Sequence, residues 1–116
     1  MYSPNFVKNK DLGNKFMVAY LQGVRAYNDA LITGDKDRTN IVDILTKTTF
    51  VDKPDMFLQM KPPGLDPNGT VLRDGVAADQ KWYMDQGLVK KEVNVDKLID
   101  NTYVEQALKV LKEYKN

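Results

Sequence analysis

The side chains able to do chemistry are few. Cysteine and histidine are absent, and Ser3 is the only serine. This removes thiol catalysis, disulfides and the common zinc sites. It also removes the usual general base near neutral pH. Ser3 has no histidine or suitable lysine motif to activate it. Carboxylates are plentiful, and three pairs lie close in sequence: Asp35/Asp37, Asp52/Asp55 and Asp96/Asp100. A glycosidase-type pair needs two such groups facing one bond. Each of these pairs instead reads as cap or turn residues. Asp35-Lys36-Asp37 lacks the downstream glycine and glutamate of a calcium loop. No catalytic, metal-ligating or cofactor-binding residue is assigned. A free-standing enzyme or cation-binding domain is disfavoured by this inventory.

Charge is equally uninformative about a polyanionic partner. The 17 basic and 16 acidic groups give a net charge of +1. Residues 1–58 carry 8 basic and 7 acidic groups, and residues 59–116 carry 9 of each. Lys90-Lys91 is the only basic doublet and makes no stripe of the kind nucleic acid requires. At 42% hydrophobic and 28% charged, the 116 residues suffice for one core-bearing unit. No apolar run of about 18 residues suggests a transmembrane helix. Met1-Tyr2-Ser3-Pro4 lacks the basic and apolar regions of a signal peptide. The chain is expected to be either cytosolic or a piece of a longer precursor.

The elements that would position side chains are mostly helical. Ser3-Pro4-Asn5 reads as a turn, and Tyr2 as a possible strand end. Asp11 is a candidate N-cap for a helix to about Leu31, closed by Gly34. Its apolar face is drawn through Leu12, Phe16, Ala19, Tyr20, Gly23, Tyr27 and Leu31. At about 100° per residue, Val18 and Leu21 fall well off that face. The helix therefore has either tolerated exposure or a second layer of protein to cover it. Further helices are expected over residues 38–48, with Asp37 as cap, and from Asp52-Lys53-Pro54 to Met60. Met56 and Met60 are read as core filler.

Residues 61–69 hold three prolines and two glycines and cannot be helix. Asp66-Pro67-Asn68-Gly69 is a β-turn sequence, with Pro67 presetting φ and Gly69 tolerating a positive one. A fourth helix is expected from Asp74 to about Gln86, with Gly87 as its C′ residue. Trp82 lies more than a quarter turn from that helix's Val76–Gln80–Tyr83–Met84 face. It either covers the core edge or docks on another domain. After a short turn over Lys97–Ile99, a last helix begins at Asn101 or Thr102 in capping-box form. Its face is read through Tyr103, Ala107, Val110, Leu111 and Tyr114. The expected fold is mainly α, with about five helices and the proline-rich loop between the third and fourth. Val18, Leu21 and Trp82 are the interface candidates.

Several stretches in order resemble one family. They are Ser3-Pro4-Asn5-Phe6, the helix Phe16–Leu31 with Ala19-Tyr20-Leu21 and Arg25-Ala26, and Ile41–Leu45. Next come Leu65-Asp66-Pro67-Asn68-Gly69, Gln80-Lys81-Trp82-Tyr83 with Gly87-Leu88-Val89, and Val95-Asp96 with Leu98-Ile99-Asp100 before Tyr103-Val104 and Ala107. Their order from Ser3 to Leu111 resembles the C-terminal part of the ABC-importer solute-binding proteins for nitrate, sulfonates, taurine and thiamine-pyrimidine precursors. The resemblance implies a helical segment of a two-lobed α/β, periplasmic-binding-protein-like fold. It implies a non-enzymatic role delivering a small solute to an ABC permease. The parent's location would be extracytoplasmic, in a periplasm or lipid-anchored at the outer face of the membrane. Val18, Leu21 and Trp82 would then pack on the rest of the parent, and the segment alone would self-associate. No ligand motif of the family maps onto a position here. The related enzyme that builds a thiamine pyrimidine uses a histidine, and this chain has none. The competing expectation is a free-standing helical protein-interaction module, which would be a stable monomer with a defined groove.

Overall fold

The structure, a computed structural model, describes residues 3–34 and 36–115. Among the described residues it is helical, with no strand. The helices are α1 (Pro4–Lys8), α2 (Lys10–Leu31), α3 (Arg38–Thr48), α4 (Pro54–Gln59), α5 (Arg73–Asp85) and α6 (Thr102–Leu111). A 3-10 turn covers Val95–Lys97. The mainly α expectation holds, with one helix more than expected. That extra helix is α1, where a turn was read. Ser3 caps it by accepting the Phe6 N–H at 3.2 Å, and Pro4 occupies the first helical turn, where a missing N–H costs nothing. The possible strand end at Tyr2 and the Asp35 connector lie outside the described residues.

α2 is the spine. It packs against α1, α3 and α6, while α4 touches only α3 and α5 touches only the 3-10 turn. The core is one crossing of α2 over α6: Met17 and Leu21 against Tyr103, Val104 and Ala107, flanked by Val18, Leu108 and Leu111. Gly13 sets the closeness of that crossing, because a Cβ there would run into the Tyr103 ring. Tyr103 also donates its hydroxyl to the Val7 carbonyl at 3.1 Å, which ties α1 down. The radius of gyration is 17.0 Å, against about 13 Å for a compact domain of this length. Neither α4 nor the pair of α5 and the 3-10 turn contacts α2 or α6.

The register of α2 is a correction. The buried positions are Gly13, Met17, Leu21, Val24, Asn28 and Ala30, not the face drawn through Phe16 and Tyr20. Aromatic bulk drew the expectation to one side. The side that packs is narrower and aliphatic, and it admits α6 at close range. On α6, Val110 points outward and Tyr114 lies beyond the helix end.

Several caps move by a residue or two. Asn9, not Asp11, caps α2 by accepting the Leu12 N–H at 3.1 Å. Ile32 closes α2 in a right-handed conformation, so Gly34 is no left-handed cap. Lys53 and Leu72 take the N-cap positions expected of Asp52 and Asp74, without side-chain cap bonds. Asp37 does flank α3, but its side chain accepts from the Asn40 amide at 2.9 Å rather than from backbone. Gly87 behaves as expected. With φ of 70° it donates to Met84, and Leu88 donates to Tyr83, both at 2.9 Å. That is the paired bond pattern of a Schellman ending.

Candidate interaction surface

The surface is built on the proline loop, so its anchoring comes first. The Asp66–Gly69 turn closes with the Gly69 N–H donating to the Asp66 carbonyl at 2.9 Å. The Asp66 carboxylate accepts from the Asn68 and Thr70 N–H groups, each at 2.9 Å. Gly69 has φ of 71° and sits on the core, where a Cβ would come within 2.6 Å of Leu21 Cδ2. Only glycine meets both conditions without strain.

Polar side chains on α2 hold the loop there. Arg25 donates Nε to the Pro67 carbonyl at 3.0 Å and Nη2 to Asn68 Oδ1 at 3.3 Å. The same guanidinium reaches the end of α6, donating to the Leu111 carbonyl at 3.2 Å and the Lys112 carbonyl at 2.6 Å. Those carbonyls lack partners within the helix, and a cation there is favoured by the helix dipole. Asn28, buried, donates to the Val24 carbonyl at 2.9 Å and the Leu65 carbonyl at 3.0 Å. Tyr27 donates to the Pro63 carbonyl at 3.1 Å, and burial pushes its phenol pKa up.

With the loop seated, an apolar cleft opens beside it. Its apolar lining includes Phe6, Phe16, Tyr20, Val71, Val76 and Leu98, and it reaches Gly69 and the buried Val104. Its volume is about 830 Å³. Phe6 stands edge-on to Phe16 at 5.5 Å between ring centres. Phe16 and Tyr20 remain 50% and 49% exposed. At the cleft's polar end, Asn101 Oδ1 is buried with no hydrogen-bond partner among the described residues. Such an atom costs on the order of 1–3 kcal/mol until a donor reaches it. Asp100, at the same end, accepts the Thr102 N–H at 2.9 Å. Hydrogen bonds from the Thr102 hydroxyl and N–H hold its carboxyl below the usual range. It therefore stays ionised near neutral pH and is not poised as a proton donor. No group of three or more metal-ligating side chains occurs among the described residues.

A second cavity, about 660 Å³ and polar, lies between α5 and the 3-10 turn. Arg73 and Asp96 bridge its end through two contacts of 2.6 and 3.2 Å. This pair lowers the Asp96 pKa and raises that of Arg73. The Gln80 amide grips the Val93 backbone from both sides, accepting at 2.9 Å and donating at 3.0 Å. Of the charges lining it, Arg73 pairs with Asp96 and Lys81 with Asp85, while Glu92 makes no hydrogen bond or ion pair among the described residues.

No family model, curated protein or solved structure matches this chain.

The three interface candidates separate. Leu21 is fully buried, in contact range of the Gly69 turn and packed with Val104, so it is core and not a docking residue. The correction follows from the α2 register: α6 covers the Met17–Leu21–Val24 side, about a third of a turn round from Phe16. Val18 is half-buried at the edge of the same core, beside a shallow seam with Gln106 and Val110. Trp82 is 55% exposed on α5, edge-on to Tyr83 at 5.2 Å. α5 makes no contact with α2, so Val18 and Trp82 do not form one patch. The residues missed were Arg25, Asn28 and Asn68. Arg25 and Asn28 interrupt the aliphatic stripe Met17–Leu21–Val24 at helical spacing. Had the stripe been drawn there, two polar groups on an inner face would have demanded partners.

Proposed function

We propose that this chain is a segment of an extracytoplasmic solute-binding protein, the non-enzymatic component that delivers a small solute to an ABC importer. The solute class is that of sulfonates, nitrate or thiamine-pyrimidine precursors. Two things support the reading. The first is the ordered set of stretches from Ser3-Pro4-Asn5-Phe6 to Ala107, which resembles that family across nearly the whole chain. The second, which carries it physically, is the open apolar cleft on the outer face of α2. Aromatic side chains left half in water, around a buried acceptor without a donor, describe a surface that expects cover. In this reading the cover is the remainder of the two-lobed parent. Closure of the lobes on solute is then the signal that the permease reads. The parent sits in a periplasm or lipid-anchored at the outer face of the cell membrane.

The coding DNA upstream of Met1 tests this. A frame continuing through alternating strands and helices to a signal peptide supports it. Binding of a sulfonate, nitrate or a pyrimidine precursor by the encoded protein would then name the solute. An in-frame stop directly before Met1 would sink the proposal. The alternative is a free-standing helical interaction module, favoured by the exposure of Trp82 and Tyr83 side by side on an arm that nothing else packs against.

A further inference from the structure

The C-terminal strap beyond α6 is held in an unusual way. Asn68 accepts the Tyr114 N–H at 2.8 Å and donates its amide to the Tyr114 carbonyl at 3.3 Å. One side chain thus satisfies both backbone groups of one residue, as a neighbouring strand would. The Tyr114 hydroxyl donates to the Asp29 carboxylate. The Arg25 guanidinium lies 5.6 Å from the centre of the Tyr114 ring, within cation–π range. Three side chains from two separate parts of the chain therefore read one tyrosine completely: its backbone, its ring face and its hydroxyl.

The residue that joins the strap to α6 opposes this placement. Lys112 has φ of 63° and ψ of 168°, a region that is nearly glycine-only. A lysine persists there only if surrounding contacts impose it. The Arg25 bond to the Lys112 carbonyl and the grip on Tyr114 are the contacts that do so.

We propose that Arg25, Asp29 and Asn68 form a binding site for a tyrosine in an extended peptide segment, whose occupant is the C-terminal segment of this chain. The strained joint makes the occupancy exchangeable. The site closes on Tyr114 of its own chain, and the same segment supplied from outside takes its place when Tyr114 is removed.

The test uses the full chain carrying Tyr114→Ala and a synthetic peptide of sequence Lys-Glu-Tyr-Lys-Asn, followed by ¹⁵N NMR. The expected result is a saturable shift of the Asn68 side-chain amide and the Arg25 Nε–H. Wild-type chain, whose site is filled, should bind about tenfold more weakly or worse. A peptide with Phe for Tyr loses the bond to Asp29 and should also bind about tenfold more weakly. No saturable shift, or equal binding of a peptide with Ala for Tyr, overturns the proposal. A second measurement guards against misfolding of the Ala variant. Tyr114→Phe in the full chain should speed cleavage by a Glu-specific protease after Glu113 several-fold, with cleavage after Glu105 unchanged. Unchanged cleavage after Glu113 also counts against the site.

Discussion

The two long faces of α2 carry comparable apolar weight and meet opposite fates. One side, Met17, Leu21 and Val24, is closed by α6 and the proline turn. The other, Leu12, Phe16 and Tyr20, remains about half exposed. Hydrophobicity alone does not tell them apart. What separates them is the presence of small residues where close approach is needed. Gly13 lets the Tyr103 ring against the helix, and Gly69 lets the turn onto Leu21. The covered face also brings polar groups matched to the backbone it meets: Arg25 and Asn28 serve carbonyls of the loop and of the α6 end. On the bare side Tyr27, in line with Phe16 and Tyr20, reaches one loop carbonyl, that of Pro63. That side is finished at one end by the unpaired Asn101 oxygen. The first face is closed within the chain, and the second is left open.

This contrast can be broken by neighbouring substitutions on the same helix. Leu21→Ala should cost about 3–4 kcal/mol, since it empties a fully buried site. Tyr20→Ala, one residue away, should cost under about 1 kcal/mol. Urea unfolding of both measures the difference, and equal losses would mean the faces are wrongly assigned. Gly69→Ala should cost about 2–3 kcal/mol, combining a left-handed backbone with a clash against Leu21. Arg25→Met keeps much of the aliphatic stem and removes the bonds to the loop and the α6 end. It should cost about 2 kcal/mol. Its hydrogen exchange should quicken at Gly69 and Lys112 together, because one guanidinium serves both places. Quickening at one place alone would show the two anchors to be independent.

The smallest expected effect is a pH dependence on the α5 arm. Asp96 is held below the ordinary carboxylate value of 3.8 by Arg73. A depressed folded-state pKa contributes stability above the unfolded value, and that contribution is lost as pH falls through the folded one. Acid unfolding of wild type and Asp96→Asn should therefore separate above the ordinary carboxylate value of 3.8 and converge as pH falls below it. Both partners are exposed, so the separation should be slight and should shrink with added salt.

Much of the architecture was legible where local chemistry decides it. The existence of α2 to α6 followed from apolar spacing, and the Asp66–Gly69 turn and the Gly87 ending followed from residues with few other uses. The wrong face of α2 has a physical cause. Sequence periodicity gives the angle of a stripe but not which neighbour can approach it, and the approach was set by Gly13 and Gly69, far apart in sequence. The anchoring site was illegible for a related reason. Arg25, Asn68 and Tyr114 gain meaning only when three distant segments meet. Caps shifted by one or two residues, Asn9 for Asp11 and Lys53 for Asp52, because a choice that fine rests on backbone geometry that sequence does not encode.

The central claim is that the Phe16–Tyr20 face is a surface awaiting cover, while the Leu21 face is finished. Sedimentation equilibrium of the wild-type chain beside a Phe16→Ser/Leu98→Ser variant tests it most directly. Wild type should show a mass that rises with concentration above the monomer. The variant should remain monomeric with its helical circular dichroism and unfolding midpoint nearly unchanged. A wild-type chain that stays monomeric across a wide concentration range, or a variant that associates equally, would contradict the account.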